Sequence, residues 1–199
     1  MFKSLSQIRE GRDYRNFRWF YTNDGKLVVG GKNEDQNELV LRNFLKPDYV
    51  VMHTSKPGSP FMIIQDDKPS NGDLDETAVY CASFSQQWKT GDKKVDIDIF
   101  KGSQLYKDKN MKIGTFGING KKENKKVKPE LVLVIQKGKL RAVPKIKRDE
   151  EILADIKPGK LTKDEAVDKI AKKIKDKFNL PISKDEIMQA IPSGNINVK

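Results

Sequence analysis

The chain has 199 residues, of which 36% are apolar and 34% charged, and its formal net charge is +11. This length fits one medium domain with an appendage, and the single cysteine excludes an internal disulfide and a cysteine-based metal site. No stretch approaches the ~20 apolar residues that span a bilayer, and the N-terminal segment has no hydrophobic signal core. We therefore expect a cytoplasmic protein.

The positive charge is concentrated in the middle of the chain. Residues 1–100 carry 14 Lys and Arg against 15 Asp and Glu, residues 101–150 carry 15 against 5, and residues 151–199 carry 10 against 8. A basic segment favours polyanionic partners such as nucleic acid or an anionic membrane, and charge alone does not choose between them. A lysine-rich segment is also compatible with a surface that only keeps the protein in solution.

In chain order, the sequence predicts alternating strands and helices. After a leader at 1–15 that we expect to be mobile, the predicted elements are strands at 17–22 and 26–29, a helix at 33–45, strands at 49–53 and 61–65, a helix at 74–89, and short strands at 95–100, 112–118, 131–136 and 140–143. The Asn-Asp-Gly turn between the first two strands is a strong hairpin signal. The pattern is typical of an α+β fold with a mixed or antiparallel sheet and two main helices.

Two capping boxes predict a helical tail. Thr162 with Glu165, and Ser183 with Glu186, each precede apolar residues at helical spacing. These apolar residues are Val167, Ile170, Ala171, Ile174 and Phe178 in the first helix, and Ile187, Met188 and Ile191 in the second. Lys-Pro-Gly-Lys at 157–160 is the predicted linker, which divides the chain into a main domain at 16–156 and a C-terminal helical extension at 157–199.

A pair of glycines precedes the first helix. Gly30 and Gly31, followed by Lys32, stand where the unpaired amide groups of a helix N-terminus favour an anion. The nucleotide-binding spacing GxxxxGK[ST] is absent, and a capping box formed by Asn33 and Gln36 would occupy two of these donors, so a structural turn is the competing interpretation.

Asn is a poor helix former, yet Asn37 stands inside the first turn of the predicted helix. Its amide is expected to bond a neighbouring loop carbonyl or a ligand base. His53 ends a strand before a loop with Lys56 and Gly58, where its ring would stack on a base, bond a phosphate, or serve only as a structural donor. A lone histidine without a cysteine partner does not predict a zinc site.

Asp96 and Asp98 alternate along a predicted strand and therefore share one face. This is the geometry of a two-carboxylate metal or acid–base site, although charged residues also protect strand edges from pairing. Further along, a lysine run at 121–128 follows Gly117-Ile-Asn-Gly120. We predict that this run forms a hairpin tip that contacts phosphates without reading sequence, and a solvated loop is the alternative.

Taken in order, several motifs resemble the NFACT-R domain, the RNA-binding module of ribosome quality-control factors related to NEMF and of bacterial fibronectin-binding-like proteins. The motifs are Phe17-Arg-Trp-Phe20, Gly30-Gly31-x4-Gln36-Asn37-Glu38-Leu39, His53-x4-Gly58-Ser59, Glu76-Thr-Ala78 with Ser85-x2-Trp88, Gln104-Leu-Tyr-Lys107, and Gly114-Thr-Phe116 with Gly120-Lys121-Lys122. The resemblance covers residues 17–127. It departs from the family pattern at Tyr49, where many members have Asp, and at Gln86, where many have Lys.

The resemblance implies that three segments form one surface for RNA. They are the glycine turn at Gly30-Gly31, the pair Gln36-Asn37, and the histidine loop at 53–59. With the basic residues around them, the expected RNA-binding residues are Gly30, Gly31, Lys32, Asn37, His53, Lys56, Ser59, Lys107, Lys121, Lys122, Lys125 and Lys126. The departure at Gln86 leaves the second helix without the lysine that the family pattern would offer to a phosphate.

We therefore predict a non-catalytic protein, without cofactor or metal, that binds structured RNA. The expected partner is tRNA or rRNA at the large ribosomal subunit, in translation or ribosome quality control, with no membrane partner. The larger family proteins carry further domains that this sequence lacks, so the resemblance implies a stand-alone form. The alternatives are a metal-dependent nuclease that uses Asp96, Asp98 and His53, and an adaptor that docks on a protein through its helical tail.

Overall fold

The computed structural model describes residues 13–146 and 148–199. Residues 1–12 of the predicted leader lie outside this part, and Asp13, next in the chain, caps a short 3₁₀ turn at Tyr14–Asn16. The described residues form helices and antiparallel sheets, so the predicted α+β fold is confirmed. Among the helices described, none is long and apolar enough to cross a membrane.

The larger sheet contains six strands in the spatial order β1-β2-β4-β3-β5-β8, and every neighbouring pair is antiparallel. These strands are β1 (Arg18–Tyr21), β2 (Leu27–Gly30), β3 (Val50–Thr54), β4 (Met62–Ile64), β5 (Val95–Lys101) and β8 (Glu123–Val127). The predicted first hairpin is confirmed, because Trp19 pairs with Val29 and Gly25 takes a φ of 77° in the turn. Only glycine adopts this conformation readily.

Two smaller sheets contain the other strands of the described residues. β6 (Leu105–Tyr106) pairs with β7 (Gly117–Ile118), and the second main sheet has the order β10-β9-β11-β12. Its strands are β9 (Leu131–Gln136), β10 (Lys139–Pro144), β11 (Ala154–Leu161) and β12 (Ile196–Val198). The strands predicted at 131–136 and 140–143 are confirmed. The strand predicted at 112–118 is wrong except for its last two residues, because the chain turns at Gly114, whose φ is 75°.

In the described part of the chain, five α-helices lie between and outside the sheets. They are α1 (Glu34–Phe44), α2 (Asn71–Ser83), α3 (Gln86–Thr90), α4 (Lys163–Phe178) and α5 (Lys184–Ala190). The single helix predicted at 74–89 is wrong, because α2 ends before Phe84 and a separate helix, α3, begins at Gln86. Ser85 caps the new helix by accepting a hydrogen bond from the Gln87 amide at 3.2 Å.

The elements are stacked in layers around α2. This helix packs against β3, β4 and β5 on one side and against β10 on the other, while α1 covers the opposite face of the six-stranded sheet. α4 packs on β11 and β12. Leu131 to Val134, four consecutive residues of β9, are fully buried, so both faces of the second sheet are covered. Cys81 lies on α2 without exposed surface, and burial raises the pKa of its thiol to about 12.

The predicted linker is wrong, because residues 157–160 lie within β11. The register with β12 shifts between Pro158 and Leu161, so the Pro-Gly pair makes a bulge and not a break. Asn197 fills the space that a side chain at Gly159 would need. The predicted division at 156/157 falls inside this strand, and residues on both sides of it share one apolar core.

The two predicted tail helices are confirmed as α4 and α5. Thr162 and Glu165 form a reciprocal capping box. Ser183 accepts a hydrogen bond from the Glu186 amide at 3.1 Å, but the Glu186 carboxylate instead accepts from the Leu140 amide of β10 at 2.9 Å. The buried apolar side chains of both helices pack in the chain's own core. These apolar faces are therefore not available to dock on another protein, as the adaptor alternative requires.

Candidate nucleic-acid interface

The paired-glycine turn forms one wall of a cleft of about 240 Å³. The other walls come from the loop around Ser59 and from the chain between α2 and α3. Four of the predicted site residues line this cleft: Gly31, Lys32, Asn37 and Ser59. The predicted association of the glycine turn with the histidine loop is thus present in the structure.

Gly31 is required by the close approach of α1. A Cβ atom at this position would lie 2.6 Å from the Asn37 backbone nitrogen and would also overlap Asn37 Oδ1. Asn37 is buried, and its Oδ1 accepts a hydrogen bond from the Phe61 amide at 3.4 Å. The Asn37 side chain therefore bonds within the fold, as one of the two predictions had it. Its partner is the N–H of a loop residue and not the predicted loop carbonyl. Gly30 is a strand residue whose missing side chain leaves room for Met62.

The predicted capping box at α1 is only half formed. Asn33 Oδ1 accepts from the Gln36 amide at 2.8 Å, whereas Gln36 Oε1 accepts from the Lys32 amide at 3.0 Å. Gln36 thereby closes the turn that carries Lys32. Because the Lys32 amide is already bonded and Glu34 adds negative charge to the first turn, an anion in the cleft depends on side-chain cations.

Arg18, Lys32 and Lys89 supply cations to the cleft. Sequence reasoning missed Arg18 and Lys89. The Arg18 guanidinium lies 4.3 Å from the centre of the Phe84 ring, which is a cation–π distance. A signal for Arg18 was present, since it is the single charged residue in the run Phe17-Arg-Trp-Phe20. Gln86 lines the same cleft, and its backbone N–H donates to the Gly58 carbonyl at 2.8 Å.

His53 lies beside the cleft on the face of the six-stranded sheet that α1 covers. Its ring packs on Phe61 at 4.5 Å between centroids, and Nδ1 is 2.7 Å from the Thr54 carbonyl oxygen. Ser59 Oγ accepts from the Thr54 amide at 2.9 Å and closes the loop. Burial lowers the pKa of His53, although the Thr54 carbonyl and Asp98 act in the opposite direction. The ring is therefore neutral at pH 7.

We expect His53 to titrate below its ordinary pKa of 6.5 in the folded chain. Because the folded pKa is depressed, the stability that this group contributes is present above the unfolded pKa and is lost as pH falls through the folded one. His53 is the only histidine, so an NMR titration of its ring protons measures the pKa directly. Asp98→Asn should lower it further. A midpoint at or above 6.5 in the wild type would show that the ring is not desolvated.

The lysine run forms an edge strand, so the predicted hairpin tip is wrong. β8 pairs with β5 along one side and ends the six-stranded sheet. Side chains alternate along a strand, and lysines at a sheet edge discourage pairing with other chains. Lys126 Nζ lies 3.5 Å from Asp96 Oδ1, on the same face as His53, whereas Lys125 turns to the opposite face and pairs with Asp75 of α2.

Asp98 joins the histidine loop to β8. Its carboxylate accepts from Lys122 Nζ at 2.5 Å, from Ser55 Oγ at 2.7 Å and from Asn124 Nδ2 at 3.1 Å. Desolvation raises the pKa of Asp98, but these three hydrogen bonds outweigh it and hold the pKa below its usual range. The contacts fix Lys122 next to the loop that leads into the cleft.

Asp96 and Asp98 share one face, as predicted, but each is held by a lysine. In residues 13–146 and 148–199, no group of three or more His, Cys, Asp or Glu side chains is placed to hold a metal ion. The arrangement consists of two ion pairs, and it gives the nuclease alternative no support.

Lys107 is a structural anchor. Its ammonium group donates to Glu38 Oε1 at 2.5 Å and to the carbonyl oxygens of Lys112 and Thr115 at 2.7 and 2.9 Å, so all three donors are used. Lys107 thus fastens its segment to α1, and its predicted RNA contact would break these bonds.

The other predicted lysines are exposed. Lys56 Nζ is 4.0 Å from Asp92 Oδ2, in the loop beside the cleft. Lys121 lies with Glu123 and Leu74 around a separate shallow cavity on the α2 side of the sheet. The structure therefore brings Lys122 and Lys126 to the face of His53 and directs Lys121 and Lys125 to the other face.

These features define an α+β domain with a polar cleft at the start of a helix and lysine and arginine side chains around it. The family described as the NFACT protein RNA binding domain matches residues 16–120, which is more than half of the chain. The chain belongs to this family of RNA-binding domains, whose named relatives are ribosome quality-control factors, and the resemblance stated from the sequence is confirmed.

Two relatives show the extent of the similarity. The chain is 31% identical over 120 residues to the archaeal Rqc2 homolog aRqcH of Methanocaldococcus jannaschii, an alignment that covers 57% of this chain and 18% of that protein. It is 27% identical over 134 residues to the ribosome quality control complex subunit NEMF homolog of Drosophila melanogaster, covering 60% of this chain and 13% of that protein. The chain thus spans less than a fifth of the length of these relatives.

A solved structure has the same fold. The C-terminal part of the fibronectin/fibrinogen-binding protein from Streptococcus suis is similar with a TM-score of 0.52 and 21% sequence identity. The similarity covers 64% of this chain and 58% of that chain.

Proposed function

We propose that the protein binds structured RNA, either tRNA or rRNA, at the large ribosomal subunit in translation or ribosome quality control. The observation that carries this proposal is the direct contact between the histidine loop and β8, the edge strand that carries Lys125 and Lys126. Asn124 of β8 donates to Ser55 Oγ at 3.0 Å, and the Ser55 loop continues to Ser59 in the cleft. This contact supports a single surface made of the cleft and the face of β8 that carries Lys126. The family's RNA-binding description and the relatives' quality-control names support the choice of partner.

On this surface, phosphate and shape recognition dominate. RNA helices have a deep, narrow major groove that side chains do not read, so contacts to the backbone provide most of the affinity. Lys126 lies in β8 and Lys122 directly precedes this strand, so at the rise of an extended chain the two are about 13 Å apart along the backbone. Both ammonium groups are at least partly exposed, and exposed ion pairs contribute little, so a phosphate competes effectively with Asp96 for Lys126.

The proposed protein is non-catalytic and acts in the cytoplasm, where it meets ribosomes. It requires neither a metal nor a cofactor, because charge and shape complementarity suffice for binding of this kind. The neutral His53 ring adds no positive charge at pH 7. Because Nδ1 donates to the Thr54 carbonyl, Nε2 of the neutral ring is an acceptor, and its place beside the cleft suits a hydrogen bond from a ribose hydroxyl.

Replacing both Lys122 and Lys126 by Gln should flatten the salt dependence of RNA binding. Each lost phosphate contact reduces the slope of log K against log salt by ~0.7 for single strands or ~0.9 for a duplex, so the pair should remove ~1.4 to 1.8. Fluorescence anisotropy with labelled tRNA and rRNA fragments, between about 50 and 200 mM salt, measures the slope.

The matched control is the double replacement of Lys121 and Lys125 by Gln. It removes the same charge from neighbouring positions, but Lys125 points to the opposite face and pairs with Asp75. We expect this control to keep most of the wild-type slope. Equal losses in the two double variants would show that net charge, and not this face, determines binding, and a flat salt response of the wild type would contradict the electrostatic proposal itself.

A further inference from the structure

A second, smaller cavity adjoins the cleft and shares Arg18, Lys32 and Phe84 with it. It measures about 40 Å³, against about 240 Å³ for the cleft. Its other walls include Tyr80 of α2 and Arg141 of β10. The cavity lies where the residues matched by the family meet the C-terminal sheet, since the family match ends at residue 120.

Cationic side chains meet in this cavity, and no Asp or Glu is among its lining residues. Arg15 also lines it, but its guanidinium is paired with Asp13 at 2.7 Å. Within residues 13–146 and 148–199, Arg18, Lys32 and Arg141 take part in none of the ion pairs. Three cations therefore converge on one small space without a carboxylate to balance them.

Aromatic rings and a carbonyl hold the two guanidinium groups in place. Arg18 lies over Phe84, and the Arg141 guanidinium carbon is 4.7 Å from the centre of the Trp19 ring. Arg141 Nε donates to the Leu140 carbonyl at 2.6 Å, which leaves its two terminal nitrogens for another acceptor. A guanidinium held in this way loses little side-chain freedom when it binds an oxyanion.

The electrostatics agree with this geometry. Burial lowers the pKa of Lys32, and the charges of Arg18 and Arg141 lower it further. Lys163, the first residue of α4, has its pKa lowered by burial and by Arg18, although Asp164 acts in the opposite direction. A cation in the first turn of a helix also opposes the helix dipole. A bound anion would relieve this repulsion.

We propose that Arg18, Lys32 and Arg141 bind a phosphate group in this cavity, and that Lys163 adds positive charge from the start of α4. Two guanidinium groups and an ammonium group match the several acceptor oxygens of a phosphate, and paired N–H donors of arginine bind such oxygens in a fork. The small volume admits one phosphate, while the attached nucleoside remains in the adjoining cleft.

The phosphate comes either from RNA bound in the cleft or from free phosphate. In the RNA case, the inference rests on the proposed function and adds a new element to it. Arg141 and Lys163 lie outside residues 16–120, so the C-terminal segment would contribute directly to RNA binding.

The first arm of the test uses inorganic phosphate alone and measures the melting temperature. At about ten times its Kd, phosphate should raise the wild-type Tm by about 3–6 °C relative to sodium chloride of equal ionic strength. Arg141→Gln should remove most of this shift, and Lys163→Gln, which changes a partly exposed residue at the start of α4, should reduce it. Lys172→Gln removes a charge from an exposed position on α4 and should keep the full shift.

The second arm measures RNA affinity of the same variants. If RNA supplies the phosphate, Arg141→Gln and Lys163→Gln should weaken binding about tenfold, and Lys172→Gln should not. Unchanged RNA affinity with a lost phosphate shift identifies free phosphate as the ligand and supports the pocket. If the wild type binds no RNA but keeps a shift that Arg141→Gln removes, the proposed function fails and the pocket stands. Equal phosphate shifts in the wild type and all three variants overturn the inference.

Discussion

Arg148→Met should lower the free energy of unfolding by about 3–5 kcal/mol, because it breaks a buried ion pair and leaves the Glu76 carboxylate buried without a cation. The side chains of Arg148 and Glu76 are 0% and 2% exposed, and Nη1 lies 2.7 Å from Glu76 Oε2. Arg148 Nη2 also donates to the Tyr21 carbonyl at 3.1 Å, and Nε donates to Glu150 at 3.1 Å. Urea unfolding followed by circular dichroism measures the loss.

The double variant Glu76→Gln with Arg148→Met is the control. It removes both charges, so it should recover a large part of the lost stability. Burial already raises the pKa of Glu76, although the Asn23 amide and Arg148 lower it, and without Arg148 the pKa should rise further. A raised folded pKa means that stability is greatest below the unfolded pKa and is lost as pH rises through the folded one. The single variant should therefore be less destabilised at low pH, and an equal loss at every pH would contradict this.

The same network connects the two sheets. The Tyr21 amide donates to Gln136 Oε1 at 2.9 Å, and Gln136 Nε2 donates back to the Tyr21 carbonyl at 2.9 Å. The Asn23 amide donates to Glu76 Oε1 at 2.8 Å. The first hairpin, α2 and the second sheet thus meet at one set of buried polar groups, which explains why a single residue after β10 should matter for the whole fold.

Gly31→Ala should lower stability by about 1–3 kcal/mol and weaken RNA binding about tenfold. The added Cβ atom would meet the backbone nitrogen of Asn37 at 2.6 Å, and a backbone atom cannot rotate away as a side chain does. The first turn of α1 must therefore move, and with it the cleft wall that carries Lys32. Thermal unfolding and anisotropy with labelled tRNA report the two effects separately.

Gly72→Ala is the matched control for this substitution. Its Cβ atom would lie 3.5 Å from Ser70 Oγ, which is an ordinary contact, and residue 72 is inside α2. We expect unchanged RNA affinity and a gain in stability of about 0.4–1 kcal/mol, because alanine reduces the freedom of the unfolded chain. Wild-type affinity and stability in Gly31→Ala would show that the close approach of α1 is dispensable.

The parts of the fold that sequence reasoning predicted have strong local signals. The Asn-Asp-Gly turn identified the first hairpin, and capping residues identified the starts of α1, α4 and α5. The break between α2 and α3 was missed because apolar spacing continues across Ser85. The Pro-Gly pair in β11 was misread because its bulge is stabilised by Asn197, a contact that only the folded chain makes.

For the candidate site, the sequence identified the segments but not their orientation. The glycine turn and the Ser59 loop do meet, as predicted. The face to which each lysine of residues 121–126 points follows from the alternation of side chains along β8, which the sequence analysis took for a hairpin tip. Arg141 gave no signal, because it reaches the Arg18 cavity only when β10 of the second sheet packs beside β1. The sequence placed Lys107 at the RNA, and its bonds to Glu38 place it in the scaffold.

The enclosed sulfhydryl of Cys81 has a practical consequence for mapping the bound nucleotide chain. A thiol with a pKa of about 12 and no exposed surface does not react with maleimide reagents under native conditions. A single new attachment point, for example through Lys56→Cys at the loop or Lys172→Cys on the distal helix, would therefore carry a cleavage reagent or a spin label at one defined position without any change to the native cysteine.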